Sequence, residues 1–457
     1  MNGQSLENPF ASAFRASSAL FALLLAASLF IFVPTVMLLL IPLAGAAFVW
    51  TLFRWPMSAL GAVLAFMPID FMVIALGKFF GLPHMTVVSV CDKEVPLLLL
   101  AVILWHRNGF KLAAPDWFLL ASLAIAAVHT LFDGTVVGLW TDFNFVIPYL
   151  VGRMAVLTRT QEEIWARCAV WIMAVLSVLG LIEVFILGEA PRTLLYLAIG
   201  SDASEEGLST SFHATGFTGL REAATTVGPN GFGVFCMIAL ILWWVYCRNP
   251  LPAGMVAVGL VCSLTRSAWL GTAVAIPLLA LVMKQSKRFF LYAAIMLSLF
   301  VASIPILGLG DFIVSSKTKQ DESAQSHQDV ILRGLQFAGE HPFGAGNENL
   351  KPGQTEVNKI GAFETTYPQL AAEYGIAAVL LFVGFLLSAL RSIWKEQTRL
   401  GYAVLGILVG ISLVMVVTLP LTDRRLACWV LFPIGLAVRS SSSQKTSLSP
   451  TTGITLE

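Results

Sequence analysis

Long apolar runs separated by short polar turns make up most of the sequence between residues 17 and 439. A transmembrane helix needs about 20 apolar residues, and somewhat fewer when flanking side chains reach the membrane surface. The runs that approach this length are 17–33, 35–53, 57–77, 94–106, 115–132, 143–157, 164–187, 229–247, 251–265, 267–284, 289–309, 368–390, 400–420 and 425–439. Several of them are short, so the pattern predicts about 12 to 14 spans.

This pattern also predicts the fold class. Because lipid offers the backbone no hydrogen-bond partner, such spans form helices, and the expected fold is all-α, a polytopic transmembrane helical bundle. Residues 1–16 are predicted to be an N-terminal segment and 17–439 the transmembrane domain. The first apolar run continues into a second, so it is interpreted as a retained helix. The polar, low-complexity tail 440–457 is predicted to be disordered.

Clustered basic residues predict the orientation of the bundle. The loops "HRNGFK" (106–111), "KQSKR" (284–288) and "RSIWKEQTR" (391–399) fall on one side if the spans alternate. Loops rich in Lys and Arg remain in the cytoplasm, so both termini are expected there. The two long polar stretches, 188–228 and 310–367, then lie on the outer side. The second contains an amphipathic segment, 327–346, which predicts a short helix on the membrane surface.

Composition supports the membrane interpretation and excludes several function classes. Hydrophobic residues make up 57% of the chain and charged residues 12%, and mean hydropathy is +0.81. Soluble proteins carry about 25% charged residues. A net charge of +1 gives no indication of nucleic-acid binding. The six cysteines form no C-x-x-C pair, and the histidines have no metal-ligand spacing, so neither a metal nor a cofactor is expected.

Lys and Arg are enriched in cytoplasmic loops, so arginines on the predicted outer side are unexpected there and are candidate ligands. Arg266 lies in "SLTRSAWLG" (263–271), in a very short turn between two apolar runs, and Arg333 lies in the amphipathic segment. Arg221 precedes a span, and Arg424 and Arg425 form an outer pair that Asp423 partly offsets. A guanidinium group binds phosphate oxygens in pairs. The arginines are either topological charges or ligands of a lipid diphosphate.

Four ionisable residues fall within or near predicted spans, namely Asp70, His129, Asp142 and Glu183. Ionisable groups at such positions are functional candidates. These four are scattered over separate helices, which argues against a single proton relay. Hydrogen bonds between helices are the expected role.

Four motifs occur in order along the second half of the chain. They are "VGPNGFG" (227–233), "SLTRSAWLG" (263–271), "EHPFGAGNENL" (340–350) and "ETTYPQLAAEYGIAAVLLF" (364–382). The set resembles the bacterial O-antigen ligase and polymerase superfamily. Its members share a P-N motif, an S-R-x-x-x-x-G turn, an R-x(n)-h-P-h-x-G-x-G loop and a closing [H/E]-x-x-[Y/F]-L-x-x-x-x-E-x-G segment. The motifs cover roughly residues 210–390.

The resemblance implies a GT-C type glycosyltransferase of the bacterial inner membrane, active at the periplasmic face. Its donor would be an undecaprenyl-diphosphate-linked oligosaccharide and its acceptor another glycan, in contact with membrane lipids. Arg266 and Arg333 match arginines expected to hold the diphosphate, and Arg221 is a third candidate. Asn230 matches the asparagine of the P-N motif. A flippase and a chain-length regulator are the partners expected of a polymerase.

One departure from the family pattern separates two reactions. Ligases typically carry a histidine where this chain has Glu364, and leucine where it has Pro368. Some polymerase-like members carry a glutamate there and an upstream histidine, which His327 matches. Glu364 is therefore the candidate base, with His327 as its alternative or partner, and an exopolysaccharide or O-antigen polymerase is favoured over a ligase. A transporter is disfavoured because the charges gather at one face.

Tyr367 has three open interpretations. It could orient Glu364, pack against a sugar ring, or be an interfacial tyrosine of the kind found at membrane surfaces.

Overall fold

The computed structural model describes the larger part of the chain. The described residues are 47, 49–79, 85–133, 135–188, 211–214, 217–220, 223–226, 228–287, 289–291, 293–294, 298, 301, 322–346, 365–395 and 397–447. The first predicted span and the N-terminal segment lie outside these residues, as do most of the two long polar stretches and positions 448–457.

The described N-terminal half forms a series of helices joined by short turns. They are α1 (Pro56–Phe66), α2 (Asp70–Phe79), α3 (Met85–Asn108), α4 (Ala114–Asp133), α5 (Val136–Phe143), α6 (Val146–Met154) and α7 (Arg159–Ile182). A π-helical turn, Glu183–Leu187, extends α7. An antiparallel hairpin of β1 (Ser211–Ala214) and β2 (Phe217–Leu220) follows, in a stretch where the sequence indicates only turns.

The C-terminal half is helical in the described residues. It contains α8 (Pro229–Tyr246), α9 (Pro250–Cys262), α10 (Arg266–Val282), α11 (Glu322–Glu340), α12 (Thr366–Tyr374), α13 (Ile376–Trp394), α14 (Arg399–Val414) and α15 (Arg424–Ser447). Helix α11 lies in the second polar stretch and overlaps the amphipathic segment 327–346 at residues 327–340.

Length and composition identify the membrane-spanning helices. Within the described residues, four helices are long and apolar enough to cross a bilayer: 114–132, 159–187, 229–246 and 376–394. Helices α1 and α2 meet the same test together, although they are bent by 67° at their junction, and α9, α10 and α14 are shorter apolar helices. Apart from the hairpin, the described chain is helical, which confirms the helical membrane class. The count of about 12 to 14 spans remains a prediction.

Several predicted spans are broken or shifted in the structure. The predicted run 57–77 is interrupted at 67–69, between α1 and α2. The run 143–157 corresponds to the end of α5 and the short α6, and the run 368–390 is broken at Gly375, which has a φ of 88°. A left-handed backbone cannot continue a helix, and glycine adopts it at little cost. Apolar content alone does not reveal such breaks.

Helix ends also differ from the predicted limits. Helix α3 begins at Met85 rather than near 94, and α14 ends at Val414 rather than near 420. Helix α15 continues to Ser447, so residues 440–447 are helical where the sequence predicts a disordered tail. Serine has only moderate helix propensity, but a helix already formed can be extended cooperatively into a polar segment.

The bundle core depends on small residues where α6 crosses α15. A Cβ atom added to Gly152 would lie 2.2 Å from the carbonyl oxygen of Phe432, and one added to Gly435 would lie 2.2 Å from that of Tyr149. Only glycine allows two backbones to approach this closely. Next to Gly152, the Arg153 guanidinium forms a buried bidentate ion pair with Asp116. Its Nε lies 3.0 Å from Oδ1, and its Nη2 lies 2.9 Å from Oδ2.

Helix ends gather into two groups at opposite ends of the bundle. At one, Arg399 pairs with Glu163 at 2.6 Å, and Asn108 donates to the carbonyl of Met154 at 2.9 Å. This end, which carries predicted basic loops 106–111 and 391–399, is the basic end. At the other, named the site end, the start of α8 lies beside the start of α10 and near Asp423, whose Oδ2 would be 3.7 Å from a Cβ added to Gly231. The start of α12 is bonded there to the segment between α14 and α15.

Candidate functional site

The turn that carries Arg266 is fixed by its own polar side chains. Leu264 has a left-handed backbone with φ of 50°, and Ser263 and Thr265 flank it, both buried. The Ser263 hydroxyl donates to the carbonyl of Leu260 at 2.7 Å and accepts from the Thr265 amide at 3.3 Å. Arg266 then begins α10 and is partly buried. The sequence therefore encodes a rigid reversal that places a guanidinium group at a helix N-terminus.

This turn is bonded to the start of α8, where the P-N motif lies. The Thr265 hydroxyl donates to the carbonyl of Pro229 at 3.0 Å. Gly233 allows the close approach, since a Cβ there would lie 2.6 Å from Cβ of Thr265. Pro229 is the first residue of α8, and the exposed Asn230 follows it. Two helix N-termini, each with positive electrostatic potential, thus lie side by side next to Arg266.

A cluster of buried charges joins the starts of α2 and α15 to α3. Oδ2 of the fully buried Asp70 lies 2.8 Å from Nζ of Lys93 and 2.6 Å from Nε of Arg425. Arg424 pairs with Glu94, and Arg425 also lies 3.7 Å from Asp423. Three cations and three carboxylates therefore balance one another.

This balance changes the interpretation of the predicted outer arginine pair. The sequence indicates that only Asp423 offsets Arg424 and Arg425, but Glu94 and Asp70 each hold one of them. The pair therefore stabilises the contact between α15 and the α2–α3 region. An arginine bound to a buried carboxylate is poorly placed to attract a second anion.

The segment that enters α12 is anchored at the site end. The amide of Thr366 donates to the carbonyl of Met415 at 3.1 Å, and its hydroxyl donates to that of Thr418 at 3.0 Å. The partly buried Tyr367 reaches the carbonyl of Ser412, with 3.5 Å between the oxygens. These bonds fix the chain two and three residues after Glu364, beside the loop that leads to α15.

The loop "PFGAG" (342–346) docks onto the break between α12 and α13. The amides of Ala345 and Gly346 donate to the carbonyls of Ala372 and Glu373, at 2.8 and 3.0 Å. These carbonyls end α12 and have no partner within the helix. Gly344 has φ of 86°, and a Cβ there would lie 2.6 Å from the Glu373 carbonyl oxygen. The glycines of the motif therefore serve backbone docking, which ties the end of α11 to α12.

Two carboxyl groups contact each other near this loop. Asp142 of α5 and Glu373 of α12 are both buried and contact each other, and the Tyr374 hydroxyl donates to Oδ2 of Asp142 at 2.6 Å. Gln369 donates to Oε1 of Glu373 at 2.8 Å. Both helices lie outside the identified spans. Burial, and then the charge of Asp142, raises the pKa of Glu373 well above its usual range.

The predicted site residues occupy different positions relative to this end. Glu364 and Arg221 lie outside the described residues, as does the side chain of His327, whose backbone belongs to α11. Arg333 is exposed on α11 and lies 3.9 Å from Asp329 of the same helix. Arg266, Asn230 and Tyr367 lie at the site end. Whether Arg333 and Glu364 converge on Arg266 remains a prediction.

Sequence reasoning missed three of the charged residues at this end, Lys93, Glu94 and Glu373. The first two are charged residues immediately before an apolar run, where they resemble loop residues. Glu373 belongs to the E-x-G part of the closing motif, and this motif is the sequence feature that could have identified it. Asp70 and Asp142 form the helix–helix contacts expected of them. Among the described residues, no group of three His, Cys, Asp or Glu side chains is arranged to hold a metal.

Comparison with protein families finds a match within the C-terminal half. Residues 251–383 match the family model described as O-antigen ligase. The match covers under a third of the chain and includes Arg266, Arg333 and Glu364. It confirms the resemblance seen in the motifs and supports assigning the chain to the O-antigen ligase and polymerase family. No curated protein matches the sequence significantly.

Proposed function

From this family assignment, we propose that the chain is a membrane glycosyltransferase that uses a glycan linked to undecaprenyl diphosphate as donor. It joins the glycan to an acceptor sugar at the periplasmic face of a bacterial inner membrane. The observation that carries the proposal is the position of Arg266. It begins α10 inside the matched segment, and Thr265 bonds the same turn to the start of α8.

The anionic leaving group accounts for the role of this arrangement. In the transfer, the acceptor hydroxyl attacks the anomeric carbon, the bond from that carbon to the diphosphate oxygen breaks, and undecaprenyl diphosphate leaves with the electron pair. Negative charge thus increases on the diphosphate. Donors fixed before the reaction stabilise such charge most effectively. Arg266 and the amide ends of α8 and α10 provide positive potential, and Arg333 and Arg221 are further candidate ligands.

Glu364 is the proposed base that accepts the proton of the attacking hydroxyl, with His327 as its alternative or partner. Its neighbour Thr365 is fully buried, and Thr366 is held by two hydrogen bonds. The backbone beside Glu364 is therefore rigid, which a positioned base requires.

This chemistry is compatible with two kinds of product, that of a polymerase and that of a ligase. A polymerase is favoured by Glu364, which stands where ligases typically carry histidine. A ligase that transfers glycan to lipid A core or to protein is favoured by the description of the matched family model. A polymerase would work with a flippase and a chain-length regulator, whereas a ligase would depend on the enzymes that build its acceptor.

Replacement of Arg266 in the producing cell tests the proposal. Arg266→Ala should lower the amount of polymer or ligated glycan about 10²-fold or more, because a preorganised donor is lost. Arg167→Ala is the matched control, since Arg167 is an exposed arginine of α7 near the basic end. Normal glycan levels in Arg266→Ala cells, with normal amounts of the chain in the membrane, would overturn the proposal.

A further inference from the structure

The contact between Asp142 and Glu373 requires a proton. An ionised carboxylate only accepts hydrogen bonds, so two carboxyl groups can bond to each other only if one of them is protonated. Asp142 and Glu373 are 8% and 6% exposed, and their carboxyl groups are in contact. Tyr374 and Gln369 supply one donor to each, at Oδ2 and Oε1. Oε2 of Glu373 is buried and, within the described part of the chain, has no hydrogen-bond partner.

The same two residues join α5, α12 and the loop after α11. Asp142 lies in the last turn of α5, and Phe143, which ends the helix, packs edge-on against the Tyr374 ring, with 5.6 Å between the centroids. The carbonyl of Glu373 accepts from Gly346, so the loop after α11 rests on the same residue. Helix α12 is only nine residues long, and its first residue follows Glu364 by two positions. Because the helix is so short, displacement of its C-terminal end would also displace its N-terminal end.

We propose that Asp142 and Glu373 share one proton and act as positioning residues, holding α12 and the loop after α11 in the arrangement that glycan transfer requires. This role rests on the proposed function, because it concerns the placement of Glu364 and of the helix that carries Arg333. Neither carboxyl group is assigned a contact with donor or acceptor.

The shared proton has a defined consequence for stability. Burial raises the pKa of both carboxyl groups, and the groups that act on them are Asp142, Glu373, Tyr374 and Gln369. Because the folded-state pKa is raised, the stabilisation is complete below the ordinary carboxyl pKa of about 4. It is lost as pH rises through the raised pKa, when two adjacent buried charges repel each other. Replacing Glu373 by glutamine keeps a donor toward Asp142 and removes this ionisation.

Thermal unfolding of the purified full chain across a range of pH tests the shared proton. The unfolding midpoint of the wild type should fall as pH rises from about 4 through the raised pKa, and that of Glu373→Gln should fall less. Infrared spectra should show a protonated carboxyl band at neutral pH that Glu373→Gln lacks. Glu340→Gln is the control, since Glu340 accepts the same kind of bond from Gln336 at 3.0 Å on an exposed surface. Equal pH dependence in wild type and Glu373→Gln, with no difference in the carboxyl band, would overturn the proposal.

Glycan transfer by the same variants tests the positioning role. Glu373→Ala should lose about 10²-fold in transfer, the scale of a small misplacement of reacting groups. Glu373→Gln should recover most of that loss, which a role as proton donor or acceptor would not allow. Wild-type transfer by Glu373→Ala would overturn the positioning role. Absence of transfer by the wild type would instead overturn the proposed function, and the unfolding and infrared results do not depend on it.

Discussion

Arg425 and Asp70 are 355 residues apart in the sequence, yet Nε of the first lies 2.6 Å from Oδ2 of the second. Lys93 shares the same carboxylate at 2.8 Å. The bond joins the start of the last helix to the bend between α1 and α2. The site end is thus closed by an ion pair between the two halves of the chain, and its removal should affect the whole bundle.

Asp70→Ala should destabilise the protein by about 3–5 kcal/mol, because it leaves Lys93 and Arg425 buried without their carboxylate. Asp329→Ala removes an exposed carboxylate that lies 3.9 Å from Arg333, and its expected cost is about 0–1 kcal/mol. Unfolding of the purified variants in detergent measures both. Equal stability of the two variants would show that the buried cluster does not hold the bundle together.

Gly344→Ala should destabilise the docked loop by about 1–3 kcal/mol, because its left-handed backbone and the Glu373 carbonyl 2.6 Å away both exclude a methyl group. Gly339→Ala is the matched change, since a Cβ at that helical position meets no atom within 4 Å. It should be neutral or stabilising by up to about 1 kcal/mol. Thermal unfolding distinguishes them, and a Gly344→Ala protein as stable as Gly339→Ala would contradict the docking of this loop.

Tyr374→Phe should cost about 1–3 kcal/mol, because the buried carboxylate of Asp142 loses a donor at 2.6 Å. Tyr367→Phe should cost less, since its bond to Ser412 is 3.5 Å long, at the limit of hydrogen bonding. The difference in unfolding free energy between the two variants measures the strength of the contact between α5 and α12. A larger loss of stability in Tyr367→Phe than in Tyr374→Phe would show that the contact between α5 and α12 is weak.

Thr265→Val should weaken transfer by raising KM for the lipid-linked donor, because it removes the bond between the Arg266 turn and Pro229. A lost hydrogen bond of this kind costs about 0.5–1.5 kcal/mol, or roughly three- to tenfold. Thr272→Val, which removes a bond to the carbonyl of Ala268 within α10, is the control. An unchanged KM in Thr265→Val, measured in membranes, would show that the turn does not contribute to donor binding.

The helical class and the match to the family model were predictable because they depend on local patterns. Apolar runs require helices in lipid, and the motifs around Arg266 and Gly344 lie in continuous segments. The breaks at 67–69 and Gly375 were not predictable, because a run of apolar residues has the same composition whether straight or bent.

The pairing of charges was the least predictable part of the site end. Arg424 and Glu94 are 330 residues apart, and Tyr374 and Asp142 are 232 apart. Nothing local in the sequence specifies such partners, since only the packing of the bundle brings them together. The outer position of Arg424 and Arg425 suggests a ligand role, which remains a prediction, and their contacts indicate a role in stability.

Transfer by the purified chain in proteoliposomes tests the central claim most directly. The chain would be supplied with undecaprenyl-diphosphate-linked glycan and an acceptor glycan, and the release of undecaprenyl diphosphate would be measured against glycan joined. The wild type should release one undecaprenyl diphosphate for each glycan transferred. Arg266→Lys should be slower by about tenfold, because the charge remains but the paired donors are lost. Release that is absent from the wild type, or equal in the two proteins, would contradict the account.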